Sequence, residues 1–277
     1  MDFSSSALAL TSRYPPTTFT NIKDLAGLVA SKAEELSRHD DVYQYISLNH
    51  ITEQDFGYIE KKRHHLGVVR FSYYPDIGTL IIKVPARKQE KAHASFGMRL
   101  SFKVWNMGVE ILELSALGAT KHIALGPTAS SSKESDSSWT NDLIRPGGWP
   151  FLVIEAGVSE SMPRLQTDAA WWIANSGGQV KLVLLIQVTK GSKVIEMEKY
   201  VPGQEMTAPA GAQPVFQQPR KVAAVTVNQG VDPPTVQGAP LLLEFESVFG
   251  RDPSRPLEQD IVFTETDFLE WSRQVFL

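Results

Sequence analysis

Residues 149–188 read WPFLVIEAGVSESMPRLQTDAAWWIANSGGQVKLVLLIQV, and this stretch decides the fold class. Residues 151–156 have the length and apolar content of a buried strand. Residues 161–176 carry Leu165, Ala169, Trp172 and Ile173 at helical spacing, and Gly177-Gly178 ends that helix. Residues 179–188 are apolar on both faces, as a strand covered on both sides must be. A strand, a helix and a second buried strand in that order predict a βαβ crossover with parallel strands and a right-handed connection. The expected fold class is therefore α/β.

Within the first strand stands one carboxylate, Glu155. A buried carboxylate that is ionised and unpaired is costly, so it has to be paired, protonated or bound to a metal. Asp136, in KESDSSW, opens another strand-like piece 19 positions upstream, and RPGGWP between them can turn the chain back. On an antiparallel pair the two acids can share one face. Hard Mg²⁺ takes a few carboxylate oxygens plus waters, so Asp136 and Glu155 form the leading metal-site candidate. Each has a plainer alternative. Asp136 fits a turn or strand edge, and Glu155 fits an ion pair with Arg145 or Lys181.

Working outward, residues 1–20 are rich in Ser, Thr and Pro and read as a loose arm. An amphipathic helix is expected over 21–37, capped by Asn21, with Ile22, Leu25, Leu28, Val29 and Leu36 on one face. Residues 67–74 and 79–84 read as a hairpin around a PDIG turn. Residues 85–107 place Ala92, Phe96, Leu100, Val104 and Met107 on one helical face, with Gly108 as the C-cap. Strands are expected at 109–115, 121–125, 193–200, 222–227 and 241–249, a Pro/Ala/Gln-rich connector at 202–220, and a closing helix at 266–276. The expected organisation is an N-terminal arm, helix and hairpin (1–84), a core (85–200), and a β-rich extension whose closing helix packs on that core (201–277).

The chain has 277 residues, 42% of them hydrophobic, a net charge of −4 and no cysteine. That suffices for one substantial core, excludes disulfides and thiolate chemistry, and leaves nucleic-acid binding to local basic patches. Residues 1–10 lack a basic start, and no stretch approaches the roughly 20 apolar residues of a membrane span. The expectation is an intracellular protein, cytoplasmic or nuclear, with no membrane partner.

Other chemistries find less support. Gly157-Val158-Ser159-Glu160-Ser161 has the position of a nucleophile elbow, but Ser161 replaces the final glycine and the last histidine is His122, before the serine; Ser159 and Ser161 read better as helix caps. His64-His65 lack metal-ligand spacing, and residues 61–65 read as a solvated charge run. No phosphate-binding glycine loop exists, so no nucleotide cofactor is expected. Pro75-Asp76 with Ile81-Ile82-Lys83 imitates a nuclease motif, but Ile81 stands where the second acid belongs, and Asp76 reads as a turn residue. Trp171-Trp172 read as half core and half surface. Arg87, Lys88 and Lys91 read as a solvated helix face that can also contact phosphates.

The order helix, three strands, helix, strand, with one acid opening the second strand and another inside the third, resembles the PD-(D/E)XK, or restriction-endonuclease-like, nucleases. RPGGWPFLVIEAGVSES together with WWIANSGGQVK resembles an uncharacterised fungal group of that superfamily. The resemblance covers residues 85–200. It implies a central mixed sheet flanked by helices, Asp136 and Glu155 as Mg²⁺ (or Mn²⁺) ligands, and hydrolysis of nucleic-acid phosphodiesters, with DNA as the partner. Two positions depart from the pattern: Ser135 replaces the proline, and Gly157 replaces the lysine expected two places after Glu155. The resemblance then directs attention to Lys181 or Lys133 as the replacement lysine, to Glu90 as an added first-helix acid, and to Gln166 as a polar neighbour. It leaves two expectations: a metal-dependent nuclease, or an inactive nuclease-fold module that binds protein or nucleic acid.

Overall fold

The computed structural model describes residues 2–11, 13–39, 42–128, 130–158, 161–206 and 216–277. The chain is mixed α/β. Its helices are α1 (Ser5–Ala9), α2 (Ile22–Arg38), α3 (Glu53–Lys61), α4 (Arg87–Asn106), α5 (Met162–Asn175), α6 (Phe245–Phe249) and α7 (Glu265–Phe276). One sheet combines β1 (Thr17–Thr18), β2 (Tyr45–Asn49), β3 (Arg70–Tyr74), β4 (Thr79–Lys83), β6 (Lys121–Ile123) and β7 (Ser132–Glu134), in the order β1-β2-β4-β3-β7-β6. The other combines β5 (Ser115–Ala116), β8 (Ser137–Thr140), β9 (Leu152–Val158), β10 (Leu182–Thr189), β11 (Val194–Met206), β12 (Phe216–Asn228) and β13 (Thr235–Gln237), in the order β13-β12-β11-β10-β9-β8-β5. A ribbon of β14 (Leu241–Leu243) and β15 (Ile261–Phe263) completes the strands.

The expected crossover is present. Strand β9 pairs in parallel with β10, while β8 and β11 flank them antiparallel. Alternation sorts the side chains. Leu152, Ile154 and Ala156 point to a core shared with α4, α6 and α7, whereas Val153 points to one shared with α1 and α5. Tyr45, Tyr74 and Ile81 of the first sheet and its turn join that second core, so α5 lies between the two sheets. Helices α2 and α3 cover the far face of the first sheet.

The two sheets are joined by a short piece of chain. Strand β7 ends at Glu134 and β8 begins at Ser137, so Ser135 and Asp136 carry the chain from one sheet to the next. That link sets Asp136 beside both.

Several expectations need correction. Residues 1–20 contain α1, whose Leu8 and Ala9 are buried and whose last carbonyls accept bonds from Arg164, so this segment is docked. Residues 109–115 form a 3-10 turn (Ile111–Leu114) before the two-residue β5, because Glu110 to Glu113 satisfy one another's backbone there. The stretch 241–249 splits at Glu244 into β14 and α6. Strands β11 and β12 extend into the expected connector at 202–220, whose residues 207–215 lie outside the described set. Trp171 and Trp172 are both fully buried. Asp76 does lie in the turn between β3 and β4, and Gly108, at φ +70, does follow α4.

Candidate functional site

Asp136 is buried at the link between the sheets, and its Oδ2 accepts the Ala156 amide at 2.7 Å. Glu155, at the centre of β9, is also buried. Between the two stands a lysine that the sequence reading set aside: Lys83, the last residue of β4, donates from Nζ to Asp136 Oδ2 at 2.5 Å and lies 3.5 Å from Glu155 Oε2. Glu155 Oε1 accepts the Trp172 indole N–H at 2.7 Å and lies 3.7 Å from Lys133 Nζ.

The cluster continues inward. Lys133 donates to Asp168 Oδ1 at 2.8 Å and to Ser72 Oγ at 3.1 Å, and Arg164 donates to the same Asp168 oxygen at 2.7 Å. Three cations, Lys83, Lys133 and Arg164, thus face three carboxyl groups, Asp136, Glu155 and Asp168, and all six are buried. Arg164, Asp168 and Trp172 lie four apart on α5, so one stripe of that helix takes part in three of these contacts.

The shifts follow from these neighbours. Burial pushes both acids of the pair up. At Asp136 the Lys83 ammonium, His93 and the Ala156 amide outweigh it, and the carboxyl sits below the usual aspartate value. At Glu155 burial outweighs Lys133 and Lys83, and Asp136 and Asp168 add to it, so its carboxyl sits above the usual glutamate value. Burial pushes Lys83 down, but Asp136, Tyr45 and Glu155 more than compensate and hold its ammonium charged. Two carboxyls pushed in opposite directions and spanned by one lysine form an arrangement typical of acid–base sites.

On the other side of Asp136, the first turns of α4 bring up Glu90 and His93. One ligand atom from each of Glu90, His93 and Asp136 lies within 4.8 Å of the others. Below them, Gln44 fixes the end of β9. Its Oε1 accepts the Val158 amide at 2.8 Å, while its Nε2 donates to Gln89 Oε1 at 2.9 Å.

The structure brings four of the six anticipated residues together: Asp136, Glu155, Lys133 and Glu90. Lys181 is elsewhere. It is exposed, just before the start of β10, where Leu185 and not Lys181 is the partner of Glu155; four residues of strand are about 13 Å. Gln166 also faces away, donating to Glu198 on β11 at 3.0 Å. Arg145 stacks on Phe151 and donates to two backbone carbonyls instead of pairing with Glu155. Ser161 is the N-cap residue of α5 but its hydroxyl makes no cap bond, and the Met162 amide donates to Gln187 instead; Ser159 lies outside the described residues. Lys83, His93 and Gln44 were missed. For Lys83 a signal existed: it is a lone charge ending an otherwise apolar strand, as Glu155 is a lone charge inside one.

As a place for a divalent ion, the pair Asp136 and Glu155 alone does not fit, because the Lys83 ammonium occupies the space between them. The Glu90, His93 and Asp136 group fits better: it offers two carboxylates and an imidazole, Lys83 is bonded to the other Asp136 oxygen, and Asp136 Oδ1 and His93 Nε2 have no hydrogen-bond partner among the described residues. No family model matches the chain, and no curated protein matches it. Among the described residues, no helix is long and apolar enough to cross a membrane.

Proposed function

We propose that this chain is a metal-dependent hydrolase of nucleic-acid phosphodiesters, with a core of the restriction-endonuclease-like type, acting at Asp136, Glu155 and Lys83. The observation that carries the reading is Lys83 Nζ at 2.5 Å from Asp136 and 3.5 Å from Glu155. Two acids and a lysine are the set this chemistry uses, and here the lysine comes from β4 instead of from position 157. Asp136 and Glu90 are the carboxylates that would hold Mg²⁺ or Mn²⁺. When bound, the ion supplies water activation and neutralisation of the phosphoryl charge.

The chain's own groups divide the remaining work. Lys83 presents a fixed positive charge that offsets charge developing on the phosphate. Glu155, whose carboxyl burial pushes above the usual glutamate value, lies on the other side of that lysine. Arg87 and Lys91, on the first turns of α4 near Glu90, are the cations that would contact a phosphate backbone, while Lys88 donates to the Val275 carbonyl.

The test is cleavage of plasmid DNA, single-stranded DNA and RNA by the purified chain with Mg²⁺ or Mn²⁺. Lys83→Gln and Glu155→Gln are each expected to lower the rate by about 10²-fold or more while the protein still melts cooperatively. Cleavage that persists unchanged in both variants would remove the assignment. A second reading, an inactive module that binds nucleic acid or protein, is favoured by one observation: both Glu155 oxygens already have partners, in Trp172, Lys133 and Lys83. Nucleic-acid binding without cleavage under any of these conditions would select it.

A further inference from the structure

The atoms that face each other across Glu90, His93 and Asp136 are not satisfied by the protein. His93 Nε2 and Asp136 Oδ1 are buried and have no hydrogen-bond partner among the described residues. An unsatisfied buried polar atom costs about 1–3 kcal/mol, so two within one such three-residue group call for a ligand.

The rest of each side chain is fixed as it is around a metal. His93 Nδ1 lies 2.8 Å from Ser137 Oγ; donation to that hydroxyl leaves the imidazole lone pair on Nε2, facing the gap. Asp136 is anchored through its other oxygen by Lys83 and the Ala156 amide, which leaves Oδ1 free. Glu90 is the outermost member, with 36% of its side chain exposed. Its Oε1 lies 3.2 Å from His93 Nε2, 3.4 Å from the Gln89 amide and 4.0 Å from Arg70, so it is oriented without being enclosed. That exposed side is where water ligands and an ion can enter.

We infer that Glu90, His93 and Asp136 form a one-histidine, two-carboxylate site for a first-row divalent transition ion, bound in preference to Mg²⁺. Mg²⁺ favours oxygen ligands and its own waters, whereas an imidazole nitrogen adds affinity for the softer first-row ions. The inference rests on the metal site of the nuclease reading, to which it adds His93 and a preference among ions, and its binding readouts do not depend on cleavage.

Mn²⁺ is the probe. The full chain, freed of metal, is titrated with Mn²⁺ and with Mg²⁺ by calorimetry, and the Mn²⁺ complex is examined by pulsed EPR for modulation from a directly bound nitrogen. One Mn²⁺ per chain, nitrogen modulation, and binding at least about tenfold tighter than Mg²⁺ are expected. His93→Gln should abolish the modulation and collapse the Mn²⁺ preference. Ser137→Ala, which leaves all three ligands in place, should weaken Mn²⁺ by about 10-fold through the loss of imidazole orientation, and it serves if His93→Gln does not fold. No Mn²⁺ binding, binding without nitrogen modulation, or a preference for Mg²⁺ overturns the proposal. Metal binding without cleavage overturns only the nuclease reading, and cleavage with a nitrogen-free metal overturns only this one.

Discussion

Gly157 stands two positions beyond Glu155, where the nuclease pattern has its lysine, and its surroundings leave no room for a side chain. A Cβ built there would lie 2.2 Å from Ser161 Oγ and 2.7 Å from Ser161 Cβ, with Gln44 Oε1 at 3.4 Å. Because the Cβ of Ser161 is itself too close, rotating its hydroxyl away does not relieve the overlap, and the backbone entering α5 has to move. Gly157→Ala is therefore expected to cost about 1–3 kcal/mol, measured by urea denaturation. Adding Ser161→Gly should recover most of that loss, and two independent, additive losses would show that the overlap is not the cause. At this scale the sequence marks the buried charges but not which of them pair. Glu155 stood out because a charge in an apolar strand needs a reason. Lys83 was readable by the same rule, but its contacts span 53 and 72 positions of chain, and no local pattern connects a hairpin to a strand in another sheet.

Helix α5 shows why element-level reading went part of the way. Its Leu165, Ala169 and Ile173 follow the expected apolar stripe into the core. A second stripe adds the charges Arg164 and Asp168 to Trp172 of the expected buried face, and all three are buried, with Tyr45, Lys133 and His122 of the first sheet against them. Periodicity reports which residues share a face, not what that face meets. The charges on this stripe hold one another: Asp168 accepts from both Arg164 and Lys133. Asp168→Asn keeps the shape but leaves two buried cations short of their counter-charge, and it is expected to lower stability by about 3–5 kcal/mol. A loss below about 1 kcal/mol in urea denaturation would mean that neighbouring Glu155 and water compensate, and that the cluster is not the rigid unit described. The helices whose positions were read well, α2, α4 and α7, each have one side open to water, where the amphipathic rule applies directly; on α2, Leu28 of the expected apolar face is nevertheless exposed.

At the scale of the whole molecule, the segment after α6 is tied to the turn before β5 by a charged clamp far from the candidate site. Arg251 donates to Glu258 through both guanidinium nitrogens at 2.8 and 2.6 Å and to Glu113 at 2.5 Å, while Arg255 bonds both acids at 3.1 Å. The Ser254 and Arg255 amides also donate to Glu258. Those bonds, with Arg251 first, hold the Glu258 carboxyl at about 2, well below its usual value of 4.5. At Glu113 burial works the other way, but the two arginines outweigh it and its carboxyl is also lowered. A depressed carboxyl contributes stability that is fully present above its unfolded value and is lost as pH falls toward its folded value. For Glu258 the window is therefore about pH 4.5 down to about 2. The full shift corresponds to an upper limit of about 3 kcal/mol, reduced because Arg251 keeps 21% of its side chain in water. Arg251→Gln should thus be less stable than the parent at pH 7, by about 1–2 kcal/mol after that discount. The gap between the two proteins should close as pH falls from 4.5 to 2, because both then carry protonated acids at this position. Urea denaturation at intervals across that range reads it directly. A gap that stays constant down to pH 2.5 would show that Arg251 acts by packing on Phe245, 5.0 Å from its ring centre, and not by holding these acids ionised.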